Sequence, residues 1–384
     1  MQHLLKNAFS FLHFVHFVGN NMSDEEGFVV SLFFEFYTNH VGDLHHPSFE
    51  SDMILNVREL AEMQLETKLD DAFLDACFDL FSLMYPCRTS RHCPPQPDFE
   101  AALQRMREQP NHAQRTPEWY STRHNLITAS SAYKMFGTPS EKNALIVEKC
   151  ADEKERPPLS VHDARHWGVR YEPVSVQYYQ SVTGTTVEEF GCIVHEEHAF
   201  LGASPDGINV LPGVDVYGRM LEIKNPVSRV ITGEPTLEYW IQMQLQMEVC
   251  KVDACDFLET RFVEYASRDA FLGDGGFSLS VDGKPKGTIL FFMRDGKYVY
   301  EYAPYGASEA ETNAWEAEQM EVAGRDFVQP LFWKLEQVSC VLVLRNRDWF
   351  RAHLDEMVSF WTLIQNERDN GDWSKRVPVK KSVW

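Results

Sequence analysis

Apolar residues recur at three- and four-residue intervals over 53–65 and again over 70–84, the spacing that lines one face of a helix, so the chain is read as helical there. Pro94, Pro95 and Pro97 interrupt the pattern, and 99–107 resumes it as another helix. Period-two alternation and short runs of β-branched and aromatic residues predict strands at 219–224, 257–263, 288–293, 297–302 and 338–344. Asp295-Gly296 is the expected hairpin turn between the third and fourth of these, and 274–277 is a loop. Residues 239–247 (YWIQMQLQM) and 348–367 return to helical spacing. The second of these turns Phe350, Leu354, Met357, Val358, Trp361 and Ile364 inward. The pattern predicts an α/β protein with an added helical N-terminal region. Its expected parts are an extension over 1–21, helices over 22–110, a main domain over 111–370 and a basic tail over 371–384.

The candidate chemistry lies where two of these elements meet. The strand at 219–224 (RMLEIK) stops at Asn225-Pro226, and side chains two apart on a strand share a face. Glu222 and Lys224 therefore point together, with Leu221 and Ile223 on the packed side. Asp206 lies in Ser204-Pro205-Asp206-Gly207, residue types that favour a turn directly after the apolar run 199–203. Two carboxylates brought close repel each other, and a divalent ion relieves that repulsion. Oxygen ligands select Mg²⁺ or Mn²⁺ over zinc. Taken singly, a Pro-Asp-Gly is a plain turn and a Glu-x-Lys is a solvated strand face, so the spacing needs context.

That context is a resemblance. Four blocks stand in order: 115–137 (RTPEWYSTRHNLITASSAYKMFG), 167–173 (WGVRYEP), GASPDGI with LEIKNP, and 239–247. Together they resemble the lambda-exonuclease or YqaJ-type viral recombinase branch of the PD-(D/E)XK nucleases, which includes viral alkaline exonucleases. The resemblance implies a restriction-endonuclease-like core, a central mixed sheet flanked by helices. It implies one or two Mg²⁺ or Mn²⁺ ions held by Asp206, Glu222 and the backbone carbonyl of Ile223, with Glu172 supporting the metal directly or through water. Lys224 would position or deprotonate the attacking water. Arg123 and Ser130 would bind the 5′-phosphate of a DNA end. A helix N-cap is the bland role for Ser130, and Pro173 is expected early in its helix, where the missing amide proton costs little. Residues 190–194 are the expected next strand. Gln242 is the favoured active-site glutamine, with a shift to Gln244 left open. Gln242 and Gln246 share a helix side that Gln244 does not.

Net charge changes the picture. The sequence carries 57 acidic and 36 basic residues, a net −21, which is an awkward balance for gripping a polyanion. The N-terminal 110 residues hold 17 acidic and 7 basic side chains, so DNA should avoid them. Candidate DNA contacts are Arg115, Arg123, Lys134, Arg165, Arg170, Arg229, Lys375, Arg376, Lys380 and Lys381. Eight scattered cysteines suggest reduced thiols in an intracellular protein, in the host nucleus or cytoplasm if the protein is viral. Cys87, His92 and Cys93 lack the second ligand pair of a structural zinc site. Residues 4–18 are apolar but too short to span a bilayer, and no membrane role is expected. The function these features favour is a metal-dependent 5′-to-3′ exonuclease on duplex DNA ends serving viral recombination or genome processing. A single-strand annealing protein is the partner suggested by analogy. The rivals are an endonuclease of the same superfamily acting on DNA or RNA, and a nucleic-acid-binding protein without catalysis.

Overall fold

The computed structural model describes residues 22–378 apart from 47, 84, 91–92, 94–98, 111, 113–115, 153–159, 161–162, 295 and 324–325. Expectations on 1–21, the Pro94-Pro95-Pro97 break, Asp295, Arg115, Lys380 and Lys381 lie outside the described residues.

The described residues begin with helices α1 (Asp24–Asn39), α2 (Phe49–Leu65), α3 (Asp71–Ser82) and α4 (Phe99–Glu108). Helix α1 starts on a capping box in which Ser23 and Glu26 satisfy each other's backbone N–H, and α3 starts on Asp70, whose carboxylate accepts from the Ala72 N–H. Phe33, Tyr37, Met53, Leu74 and Phe81 from these helices sit in the same apolar core as Trp240, Trp349 and Ile364 from the rest of the molecule. The acidic N-terminal helices are therefore fused to the main body. Tyr37 and Asn346 join the two through their side chains, and the Asn346 Nδ2 also donates to the Pro86 carbonyl at 2.8 Å.

The α/β body follows. Short helices α5 (Pro117–His124) and α6 (Ala129–Ala132) flank β1 (Ile127–Thr128). Next come α7 (Pro139–Cys150) and α8 (Ala164–Thr183), then β2 (Val187–Glu188), β3 (Ile193–Val194), β4 (Leu201–Ala203), β5 (Gly207–Asn209) and β6 (Met220–Lys224). Helix α9 (Leu237–Cys250) leads into β7 (Ala254–Glu264), α10 (Arg268–Gly273), β8 (Lys286–Arg294) and β9 (Lys297–Tyr302). Helix α11 (Glu309–Ala323), β10 (Phe327–Leu344) and α12 (Arg347–Asn370) complete the order. The main sheet runs β2-β5-β6-β7-β10-β8-β9, and a small sheet runs β1-β4-β3. Both are mixed: β6 and β7 are parallel through the α9 crossover, β1 and β4 are parallel, and the remaining pairs are antiparallel.

Several boundaries differ from expectation for identifiable reasons. Helix α8 begins at Ala164 on an Asp163 cap, so Pro173 lies in its interior rather than near its start, and one backbone hydrogen bond is forgone there. Residues 190–194 yield only β3, which joins the small sheet, while β2 follows α8 directly. Strand β10 is 18 residues long because its first half pairs with β8 and its second half with β7. Pro330 sits in the stretch opposite Leu290, before β7 joins at Trp333, where its missing donor leaves no gap in a ladder. Val358, expected to face inward, is 42% exposed.

Candidate active site

Strand β6 is buried on both faces. Leu221 and Ile223 pack with Tyr179 of α8 and Leu258 of β7. On the opposite face Glu222 is completely buried, so it is not the solvated strand residue that Glu-x-Lys alone suggests. A buried carboxylate requires partners, and three donors supply them. Lys224 Nζ lies 2.5 Å and Gln242 Nε2 2.7 Å from Glu222 Oε1, and Gln246 Nε2 lies 2.8 Å from Oε2. Gln242 and Gln246 reach the same carboxylate because they are four residues apart on α9. Gln244 faces away, donating to the Leu344 carbonyl at 3.0 Å and accepting from the Asn346 N–H at 2.6 Å. Of these two glutamines, Gln242 contacts Glu222 and Gln244 does not. Gln246 is a neighbour that the single-residue reading passed over, although its i, i+4 spacing was visible.

Asp206 is half-buried at the start of β5 and accepts from the Ile223 N–H at 2.7 Å. Burial pushes its carboxyl well above the usual carboxylate range, and the charges of Glu222 and then Glu172 push the same way against the pull of Lys224. Burial works against the Lys224 ammonium, yet Glu222 and Asp206 outweigh it and raise its pKa. The ammonium also lies 4.7 Å from the centre of the Tyr239 ring. Glu172 is half-buried on α8 and acts on Asp206 through its charge. Among the described residues no group of three or more His, Cys, Asp or Glu side chains lies close enough to hold one ion. The charge of Glu222 weighs more on Asp206 than that of Glu172 does. The carboxylate oxygens of Asp206 and Glu222 suit a hard divalent cation, which would also relieve the repulsion between them that adds to the effect of burial on Asp206. The residues fit a magnesium-type ion bound by few protein ligands.

Two glycines and an asparagine hold the strand ends in place. A Cβ on Gly207 would come 2.2 Å from Val187 Cγ1, so only glycine lets β5 lie against β2 directly after Asp206. A Cβ on Gly202 would meet Leu126 Cδ1 at 2.7 Å. Asn225 follows Lys224 and donates to Ser175 on α8 at 2.8 Å and to Thr260 on β7 at 2.6 Å, fixing the exit from β6.

Beside the carboxylates is a guanidinium corner. Arg123 NH1 donates to Ser204 Oγ and NH2 to Ser130 Oγ, each at 3.0 Å, and the guanidinium lies 4.3 Å over the Trp119 ring. Ser130 is not a helix cap: Thr128 occupies that position of α6. Ser204 is two residues from Asp206, and its carbonyl accepts from Gln246 at 3.4 Å. The corner and the carboxylates therefore share Ser204 and Gln246. Sequence reasoning omitted Ser204 as a partner of Arg123, although its place in Ser-Pro-Asp-Gly was a signal.

Most other cations chosen for DNA contact are committed within the molecule. Arg229 pairs with buried Glu259 and lies 5.5 Å from the Tyr239 ring centre. Arg170 is only 7% exposed and is bound to Glu264 at 2.7 Å, so it is no surface contact. Lys134 pairs with Glu148, Arg165 with Asp163, Lys375 with Asp372 and Arg376 with Glu367. Among the described residues no helix is long and apolar enough to cross a membrane.

Comparison with known proteins adds similarities over part of the chain. Residues 118–253 match the YqaJ-like viral recombinase domain. An uncharacterized protein of Acanthamoeba polyphaga mimivirus is 27% identical over 303 residues, covering 68% of this chain and 54% of that protein, so the chain spans about half the length of that relative. Two crystal structures of the alkaline exonuclease LHK-Exo from Laribacter hongkongensis, one in complex with dAMP, give a TM-score of 0.41 at 20% identity over 68% of this chain and 98% of theirs. A phage-related exonuclease from Haemophilus somnus gives 0.35 at 12% identity over 65% and 96%.

Proposed function

With a YqaJ-like viral recombinase domain over residues 118–253 as the premise, we propose that the chain is a metal-dependent exodeoxyribonuclease with a PD-(D/E)XK core, degrading duplex DNA from 5′ ends. The observation that carries this reading is the convergence of Asp206, Glu222, Lys224, Gln242 and Gln246 at one end of β6, with the Arg123, Ser130 and Ser204 corner beside them. Magnesium or manganese held by Asp206, Glu222 and the Ile223 carbonyl, with Glu172 reached through water, would supply a water acidic enough to ionise near neutral pH and a positive charge for the scissile phosphate.

The chain's own groups have separable tasks. Gln242 and Gln246 fix the direction of the Glu222 carboxyl by two hydrogen bonds. Lys224 lies against Glu222 and orients the attacking water while offsetting charge on the phosphate oxygens. Arg123 presents a planar fork, and Ser130 and Ser204 offer hydroxyls on either side of it, a donor set suited to the oxygens of a terminal phosphate. A terminal phosphate seated there places a neighbouring phosphodiester at the carboxylates, which favours removal of nucleotides from an end over cleavage within a strand. Arg229, although paired with Glu259, keeps 34% of its side chain exposed beside Tyr239 and can still add a minor contact to the DNA backbone further along. The product strand exposed by such digestion is what a single-strand annealing protein would bind, and the reaction belongs in the host nucleus or cytoplasm.

The test uses linear and circular duplex DNA with and without Mg²⁺. Release of nucleotides from linear DNA alone, dependent on Mg²⁺, is the expected result. Nicking of circles would convert the reading to an endonuclease, and no cleavage of either form would leave a binding protein.

A further inference from the structure

The Arg123 corner is held in part from outside the matched segment 118–253. Helix α5 carries Arg123 in its last turn, and the carbonyls that end a helix need partners from elsewhere. Lys149 Nζ, 3% exposed at the end of α7, donates to the Arg123 carbonyl at 2.9 Å. Arg368, in the last turn of α12, makes three further contacts. Its NH2 donates to the His124 carbonyl at 2.9 Å, its Nε to the Lys149 carbonyl at 2.7 Å, and its NH1 to Asn125 Oδ1 at 3.3 Å. Two cations thus meet the negative ends of α5 and α7 together. The guanidinium of Arg368 also lies 5.4 Å from the centre of the Trp361 ring, and that ring stacks on Phe200. Phe200 accepts the Ile127 N–H through its carbonyl and leads into β4, the strand before Ser204. Arg368 and Trp361 together therefore tie α12 to the segments that bear Arg123 and Ser204.

The local charge balance agrees. Burial pushes the Lys149 ammonium down to about 8, and Arg123 and Lys134 add repulsion to it, against the attraction of Glu148. A corner that already crowds its cations gains from an incoming phosphate dianion.

We propose that Arg368 is a positioning residue for recognition of the terminal phosphate, fixing the last turn of α5 so that Arg123 faces Ser130 and Ser204 before DNA arrives. This rests on the reading that Arg123 binds a 5′-phosphate.

Steady-state cleavage of one duplex carrying either 5′-phosphate or 5′-hydroxyl ends tests it, with wild type, Arg368→Ala, Arg368→Lys and Arg123→Ala. The expected result for Arg368→Ala is a rise in KM of about tenfold on phosphorylated ends, the loss expected for one charged hydrogen-bond network, with little change in kcat. The preference for phosphorylated ends should fall toward that of Arg123→Ala. Arg368→Lys keeps the charge but not the three-point contact, so its preference should lie between wild type and Arg368→Ala. Should Arg368→Ala not fold, Arg368→Lys decides the matter through binding of the two duplexes without Mg²⁺. Equal losses on both kinds of end, or wild-type preference in both Arg368 variants, would overturn the proposal. A wild-type protein that cuts both ends equally well removes this inference and leaves the nuclease reading standing. One that cuts neither removes both.

Discussion

The contact between Lys224 and Glu222 offers the sharpest test, because stability and catalysis should respond to it in different ways. Lys224→Met preserves length and removes the ammonium. Glu222 is fully buried and lies 2.5 Å from Lys224 Nζ, so the variant leaves a carboxylate with only its two glutamine donors and with Asp206 nearby. Removing one member of a buried pair costs about 3–5 kcal/mol. Loss of the contact with Tyr239 adds about 1 kcal/mol, and uptake of a proton by Asp206, whose carboxyl burial already raises, returns part of this, so we expect about 3 kcal/mol without metal. Glu222→Gln removes the charge instead and keeps the shape. Gln246 Oε1 is buried with no hydrogen-bond partner, so a flip of that amide can accept from the new Nε2, and the cost should be about 1 kcal/mol. The double variant should cost about 1–2 kcal/mol, giving a coupling of roughly 2–3 kcal/mol in a double-mutant cycle. Denaturant unfolding of the four proteins, without and with Mg²⁺, measures this. Cleavage should fall at least about a hundredfold in each single variant, with binding of duplex DNA retained by Lys224→Met. Additive stabilities, or wild-type turnover by Lys224→Met, would refute the pairing and the assigned role.

Three further outcomes follow from neighbouring contacts. Gln246→Leu should lower kcat about tenfold by freeing one Glu222 oxygen, whereas Gln244→Leu should cost about 2 kcal/mol in a thermal melt, by breaking its bonds to Leu344 and Asn346, and leave kcat alone. Gly207→Ala should destabilise by about 2 kcal/mol because its Cβ meets Val187, and adding Val187→Ala should restore most of that loss in the same melt. Burial raises the Glu248 carboxyl, but His195 and Arg345 together outweigh it and hold the group down at about 2. A depressed carboxyl contributes stability above its unfolded pKa and loses it as pH falls toward the folded one. Glu248→Gln should therefore be about 2 kcal/mol less stable than wild type at pH 7, with the gap closing between about pH 4.5 and pH 2 in acid titrations of unfolding.

The sequence made legible those parts of the fold that local chemistry dictates. Helices α2, α9 and α12 carry their own apolar periodicity, and β6, β7, β8 and β9 carry alternation or β-branched runs, so each was found within a few residues. The first half of β10 was not found, because Pro330 interrupts a run without period-two alternation whose stability comes from pairing with β8. Helices α7 and α11 were overlooked. The start of α7 at Thr138, a capping box with Glu141, was readable in principle, whereas α11 meets the core through Thr312 and a half-buried Trp315 and its pattern gives little amphipathic signal. At the candidate site, Asp206, Glu222 and Lys224 could be singled out because their spacing is local to one turn and one strand. Gln246, Ser204 and Asn225 could not be ranked in the same way, since their importance arises from partners 24, 81 and 50 residues distant in sequence.

Charge is where sequence counting misled most, and the structure supplies the reason. Among ten cations chosen as DNA contacts, Arg170, Lys134, Arg165, Arg229, Lys375 and Arg376 are each paired with a carboxylate of the same chain. An acidic chain of net −21 neutralises its own basic residues internally. Attraction for DNA must then come from a few concentrated places rather than from a broad basic face. The Arg123 corner is one such place, with Lys149 and Arg368 behind it. Divalent ions at Asp206 and Glu222 would be the second, supplying positive charge that a count of side chains omits. Binding of phosphorylated DNA ends should for that reason fall with salt far less steeply than for a protein making six to ten phosphate contacts, with a slope of about −2 to −4 in log Kd-based affinity against log salt. Fluorescence anisotropy across a salt series, with Ca²⁺ in place of Mg²⁺ to hold off cleavage, gives that slope. A value near −8 would mean an extensive basic track grips the duplex, and the concentrated-charge account would fail.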